Sequence, residues 1–229
     1  MIALTVALGA CVATSMLSVM FNVGDKVNQE LKSYGANIVV RPQGAAVLDD
    51  LYNTGEAAEA HSYLREDELG NIKTIFWTYN ILDFAPLLNV SATNASGEHV
   101  PTTGTWFSHH LELATGESVE TGLDRLRGWW GLEGAWPADD DADGAVVGST
   151  YASAHGLAVG DSFTLTREGI TRDFTVRGII TSGDDADRGV FIQLAQAQAL
   201  IGREGAVGSV EVSALTTPDN DLARKAAKN

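Results

Sequence analysis

Acidic, imidazole and indole side chains are the groups in this sequence that could do chemistry. Asp139, Asp141, Asp143 and Gly144 open as D-x-D-x-D-G, the start of a calcium loop in which oxygen ligands alternate and glycine permits a sharp turn. Position twelve of such a loop is Thr150, where a bidentate Glu is needed, and strand-like Ala145-Val146-Val147 replaces the second half. A solvated acidic loop is therefore the simpler reading. Asp184, Asp185 and Asp187, after Gly183, form a similar acidic turn. His99, His109 and His110, near Glu98 and Glu112, offer imidazole and carboxylate ligands for a transition metal. Adjacent histidines in a strand point to opposite faces, so at most one of His109 and His110 can face a given site. Trp129, Trp130 and Trp136, with Trp106 upstream, form either a satellite hydrophobic cluster under a long loop or a contact surface for a partner protein, where Trp is enriched.

The motifs that define common enzymes are missing. No Gly-x-x-x-x-Gly-Lys-Ser/Thr loop is present, so the chain does not itself hydrolyse ATP by the P-loop route. Neither a Gly-x-Ser-x-Gly elbow nor a His-Glu-x-x-His helix occurs, and no serine and histidine are spaced to suggest a triad. No catalytic residue, cofactor or metal centre is expected. A net charge of −15 over 229 residues makes nucleic acid and anionic lipid headgroups poor partners. With 45% apolar and 20% charged residues the chain has the composition of a globular protein with a real core. Its single cysteine excludes a disulfide framework and a Cys-based zinc site.

The elements that must position these groups are clearest in the last third. Ala145-Val146-Val147 reads as a strand, Ser149 to His155 as a helix ending at Gly156, and Val159-Gly160-Asp161 as a turn. Phe163 to Arg167 and Arg172 to Thr181 read as a hairpin across Glu168-Gly169. Val190-Phe191-Ile192 and Val207 to Leu215 are further strands around a helix from Leu194 to Ile201, and Pro218 opens a final helix, Asp219 to Lys228. Earlier in the chain the pattern predicts a strand at Ala36 to Arg41, a short helix around Val47 to Tyr52 and a helix from Ser62 to about Thr74. Strands follow at Ile75-Phe76-Trp77, Pro86 to Ala92 and Val100 to Phe107. The Gly-, Trp- and acid-rich segment from Gly116 to Asp143 reads as irregular with one short helix. Strands and helices without strict βαβ alternation indicate an α+β domain.

Ahead of that domain, the 22 residues from Ile2 to Val23 carry no charge. As a helix they reach roughly 33 Å, which matches a hydrocarbon core of about 30 Å. A cleaved signal peptide would need a basic start, which is absent, and Leu8-Gly9-Ala10-Cys11 only loosely matches a lipoprotein cleavage box after a short apolar stretch. Ala3, Ala7, Cys11 and Ser15 recur every fourth residue beside Ala10, Thr14 and Ser18, opposite the bulky row Leu4, Leu8, Val12, Met16 and Met20. Small residues at that spacing let another membrane helix approach closely, so further helices are expected as partners. Past the span Val23, Val27, Leu31 and Tyr34 keep one apolar face, with Asp25, Lys26, Gln29, Glu30 and Lys32 elsewhere, up to a C-cap at Gly35. The expectation is a membrane helix continuing as a stalk.

A resemblance to a family now becomes visible. The membrane helix followed by Glu30-Leu31-Lys32-Ser33-Tyr34-Gly35-Ala36-Asn37-Ile38-Val39-Val40-Arg41-Pro42 resembles the start of FtsX-like, MacB-type ABC transporter permease subunits. Val146-Val147-Gly148, Ala152, His155-Gly156-Leu157-Ala158-Val159-Gly160-Asp161, Phe174-Thr175-Val176-Arg177-Gly178-Ile179 and Val190-Phe191-Ile192 resemble the close of their extracytoplasmic domain. The resemblance implies a transmembrane and stalk helix over 1–34 and a mixed α/β MacB-like core over 35–217, in which about 104–144 is variable. It implies the start of a returning stalk helix over 218–229. It further implies four membrane helices in the whole permease, so a chain ending at Asn229 is expected to be a fragment. The implied partners are a separate ABC ATPase, the other membrane helices and a second permease as homodimer or heterodimer. ATP hydrolysis in the partner would move an ectodomain outside the plasma (inner) membrane, by mechanotransmission. The Tyr34-Gly35-Ala36-Asn37 form and the Trp-rich insertion are also similar to members linked to iron-uptake operons. The alternative reading is a singly anchored extracytoplasmic protein that binds a ligand or partner.

Overall fold

A computed structural model describes residues 35–42 and 63–215. The expected membrane and stalk helix with its small-residue stripe, the short helix around Val47 to Tyr52 and the final helix lie outside the described residues.

The longest strands build the frame. In β3 (Ile81–Thr93), Leu88, Val90 and Ala92 are buried while Asn89 and Ser91 are exposed, the alternation of a sheet with one wet face. β3 pairs antiparallel with β4 (His99–Thr105) on one side and with β13 (Ser209–Ala214) on the other. The order runs on from β4 through β11 (Val190–Gln193), β8 (Gly144–Gly148) and β10 (Ile170–Thr181), with β1 (Ile38–Val40) beyond β13. The far side of β10 is paired with β9 (Ser162–Arg167) over its first half and with β7 (Gly131–Gly134) over its second. β9 in turn meets β3 at Thr93 and Thr166, so six strands close a ring around the main core. β8 is buried along its whole length because apolar layers cover both of its faces.

Inside the ring lie Phe84, Leu88, Val90, Leu165, Phe174, Ile192 and Leu200. A helix, α3 (Leu194–Ile201), closes it with Leu194, Ala197 and Leu200 turned inward. Gly104 on β4 makes this contact possible, since a Cβ there would collide with the Ala197 methyl. The helix α2 (Ser149–His155) ends at Gly156, as the pattern predicts, and the β9–β10 hairpin turns at Glu168 and Gly169, both at positive φ.

Three segments differ from expectation. The helix expected from Ser62 is replaced by β2 (Leu64–Arg65), paired with β12 (Ala206–Val207), and by a 3-10 helix, Glu66–Lys73, that buries Leu69. Tertiary pairing of Leu64 with Val207 overrides the local helical pattern there. Ile75-Phe76-Trp77 is a turn rather than a strand, with Thr78 N–H donating to Ile75 O and Asn80 N–H to Trp77 O; among the described residues no strand pairs with it. The segment from Gly116 to Asp143, expected to be irregular, is ordered, and with the residues from Trp106 that lead into it makes an insertion between β4 and β8. It forms the hairpin β5 (His109–Glu112) and β6 (Ser118–Thr121), the turn of helix α1 (Leu123–Leu126) and strand β7. Its Phe107, Leu123 and Trp130 cover Val146, Ile180 and Phe191 on the outer face of the sheet as a second core.

One bond set joins the insertion to the frame. Before β4 pairing begins at Leu87, the β3 edge would be open; there Phe84 N–H donates to Thr121 Oγ1 at 2.8 Å, and that hydroxyl donates to Phe84 O at 2.5 Å. A proline, Pro86, stands two residues on, where one fewer N–H needs a partner.

Candidate functional site

The chain comes in and goes out at one end of the sheet. Asn37, just ahead of β1, donates from Nδ2 to Ala214 O at 2.6 Å and accepts from Ala214 N–H at 2.9 Å, so its amide copies a backbone pair and extends the β1–β13 ladder. Leu215 N–H donates to Asn80 O at 2.7 Å, which ties the outgoing chain to the residue before β3. Incoming and outgoing segments are thereby locked to adjacent strands.

The insertion reaches this end. Gly35 has φ of 82°, and a Cβ there would strike the Trp129 ring and the Arg127 guanidinium, so only glycine fits on both grounds. The Arg127 guanidinium lies 5.3 Å from the Trp129 ring centre and 5.5 Å from that of Trp130, and pairs with Glu211 on β13 at 2.5 Å. The three tryptophans singled out in the sequence therefore part company. Trp130 is buried against Phe191, with no hydrogen-bond partner for its Nε1, and Trp136 packs on Phe107. Trp129 stays 43% exposed over Gly35.

The aromatic side chains that sequence reasoning missed are Phe76, Trp77 and Tyr79. They are 70%, 56% and 63% exposed, beside Ile75 at 47%, and Phe76 and Trp77 meet edge to face at 5.2 Å. The apolar run Ile75-Phe76-Trp77, with Tyr79 two residues on, is the available signal; reading Ile75-Phe76-Trp77 as a strand hides its exposure. The turn that presents it is stapled: Lys73 Nζ donates to Ile81 O at 2.6 Å, and Thr78 Oγ1 donates to Lys73 O at 2.7 Å. Burial holds the Lys73 ammonium below its ordinary pKa, partly offset by the Asp83 carboxylate.

The groups with metal-ligand chemistry are spread apart. His109 faces Asp139 at 2.8 Å and stacks on Trp106 at 4.1 Å, while His155 lies 3.4 Å from Glu98 and His99 is 3.4 Å from Ser91. Asp141 pairs with Arg177 at 2.7 Å, so a guanidinium faces the carboxylate of the acidic loop. Asp187 accepts from Ser182 N–H, Gly183 N–H and the Ser182 hydroxyl, and the backbone bond from Ser182 leads in holding its carboxyl below the ordinary value. Among the described residues no three His, Cys, Asp or Glu side chains converge. A groove of about 1150 Å³ runs past Arg65, Trp106, His109 and Arg203. On its wall, Glu66 accepts from Trp106 Nε1 at 3.2 Å and from Gln198 Nε2 at 2.8 Å, joining the 3-10 helix to β4's exit and to α3.

A family model described as the MacB-like periplasmic core domain matches residues 1–229, the whole of the sequence. The chain belongs to that family. It is thus the extracytoplasmic domain of a MacB/FtsX-type ABC transporter permease, associated with a membrane. A solved structure shares the fold. The periplasmic region of MacB from Actinobacillus actinomycetemcomitans is 14% identical, with a TM-score of 0.52, covering 82% of this chain and 78% of that one. The extracellular domain of the noncanonic ABC-type transporter YknZ from Gram-positive bacteria is 12% identical, with a TM-score of 0.49, covering 76% of this chain and 83% of that one. No curated protein sequence matches. Among the described residues of this MacB-like domain no helix is long and apolar enough to cross a membrane.

Proposed function

We propose that this MacB-like domain is moved by a partner ATPase through helices attached at its two ends. The observation that supports this reading most is the clamp of Asn37 on Ala214: it locks the incoming strand β1 to the outgoing strand β13. Helices attached at both points would pull on neighbouring strands of one continuous sheet, so their motion would carry the ring as a body. Residues 1–34 are the membrane and stalk helix in this proposal, 35–217 the moving domain and 218–229 the start of the returning stalk. The small residues Ala3, Ala7, Ala10, Cys11, Thr14, Ser15 and Ser18 pack on further membrane helices of the same permease. The chain acts as a homodimer or heterodimer of permeases, carries no catalytic group of its own and exports or imports its cargo on the ATPase's cycle. Of Trp129, Trp130 and Trp136, only Trp129 is left to touch a partner in this proposal, because Trp130 and Trp136 are occupied in packing.

A mild-detergent pull-down of the full-length gene product from its own membranes, with mass spectrometry and an ATPase assay, tests this. Stoichiometric recovery of a nucleotide-binding subunit, with turnover lowered by Asn37→Ala, is the expected result. Recovery of the protein alone or lipidated at Cys11 would support the second reading, a singly anchored binding protein, which the groove beside Trp106 and His109 favours.

A further inference from the structure

Ile75, Phe76, Trp77 and Tyr79 form an apolar patch that nothing in the described residues covers, and the staples at Lys73 and Thr78 hold it in shape. The patch stands where the chain comes in and goes out. Asn80, at its end, bonds Leu215, and the next residue, Ile81, pairs with Ala214 beside Asn37. The sequence immediately before Gly35 carries an apolar row, Val27, Leu31 and Tyr34, on a helical pattern whose other positions are polar. As a helix, Val27 to Tyr34 extends only about 10 Å, so the row cannot lie far from this end.

We propose that the Ile75–Tyr79 loop is the docking site for the apolar row Val27, Leu31 and Tyr34 of this chain's own stalk. This rests on the stalk reading above and deepens it, since a stalk seated on the loop would turn with the sheet rather than swivel at Gly35. A bilayer fits the patch less well, because the uncharged run ends before Asp25, about 15 Å along a helix from Gly35. A second copy also fits less well, because one loop of four side chains falls short of the roughly 800 Å² per partner of a stable interface.

Cross-linking in the full-length chain in native membranes, on a Cys11→Ser background, is the test. The pairs Trp77→Cys with Leu31→Cys and Phe76→Cys with Val27→Cys should give a short bis-maleimide cross-link within one chain. The off-face pair, Trp77→Cys with Lys32→Cys, should lose it. A cross-linked dimer would overturn the proposal in favour of a second copy. Absence of any cross-link would overturn it outright, and quenching of a fluorophore on Trp77→Cys by brominated phospholipids would then assign the patch to the bilayer. The readout is proximity inside one chain, so it stands or falls separately from recovery of an ATPase. A cross-link without an ATPase would sink the proposed function alone; an ATPase without a cross-link would sink the docking alone.

Discussion

The insertion and the 74–80 turn use the same kinds of side chain to opposite ends. Trp106 and Trp130 are 4% and 9% exposed, whereas Phe76 and Trp77 are 70% and 56% exposed. The insertion follows β4 directly and can fold back over the outer face of β8, β10 and β11, where Val146, Ile180 and Phe191 offer an apolar floor. The turn sits at the end of the sheet, its backbone bonded within itself and to Leu215, and no described residue covers its aromatic side chains. Aromatic content alone therefore says little about contact with partners; the surface within reach decides.

The sharpest way to break this comparison is truncation on both sides. Trp130→Ala should lose about 3–5 kcal/mol of stability in urea unfolding, as for a large aromatic removed from a core. Trp77→Ala should stay within about 0.5 kcal/mol when the change is read on the ectodomain's own unfolding step. Equal losses would show that the turn is core after all. Next in size is Thr121→Val, which keeps the shape but strands the Phe84 N–H and C=O at the open β3 edge; a loss of about 1–3 kcal/mol is expected. An unchanged urea midpoint would mean that the insertion is merely laid on the frame. A double-mutant cycle on Arg127→Ala and Glu211→Ala should then return a coupling of about 1 kcal/mol, since both side chains are largely shielded from water.

The smallest effect is a pH dependence in the acidic turn. The Asp187 carboxyl is held below its ordinary value of 3.8 by the backbone bond from Ser182 and its neighbours. Its contribution is therefore complete above that ordinary value and fades as pH falls through the lower folded one. Thermal unfolding followed below about pH 4 should show this slope, and Asp187→Asn should flatten it.

Much of the frame was legible because local and tertiary preferences agree there. Ser149 to His155 with Gly156, the hairpin turning at Glu168-Gly169, and Leu194 to Ile201 all form where the periodicity places them. The family too was readable, from the Gly35-Ala36-Asn37 start and the Val146 to Ile192 motifs. The helix from Ser62 was not, because Leu64 is taken by Val207, some 140 residues away in sequence, in a pairing that no local window contains. The segment from Gly116 to Asp143 reads as irregular because its strands are only four residues long and one of them, β7, exists only through β10.

By itself, then, the sequence determined the α+β class, the β8-to-α3 succession and an acidic surface, since period, turn chemistry and charge are local or additive properties. Tertiary structure alone decided that six strands close into a ring and that Asn37 bonds Ala214. It also decided that Trp130 lies inside while Trp77 lies outside. Each of these depends on which distant surfaces meet, and burial is a property of that meeting rather than of the residue.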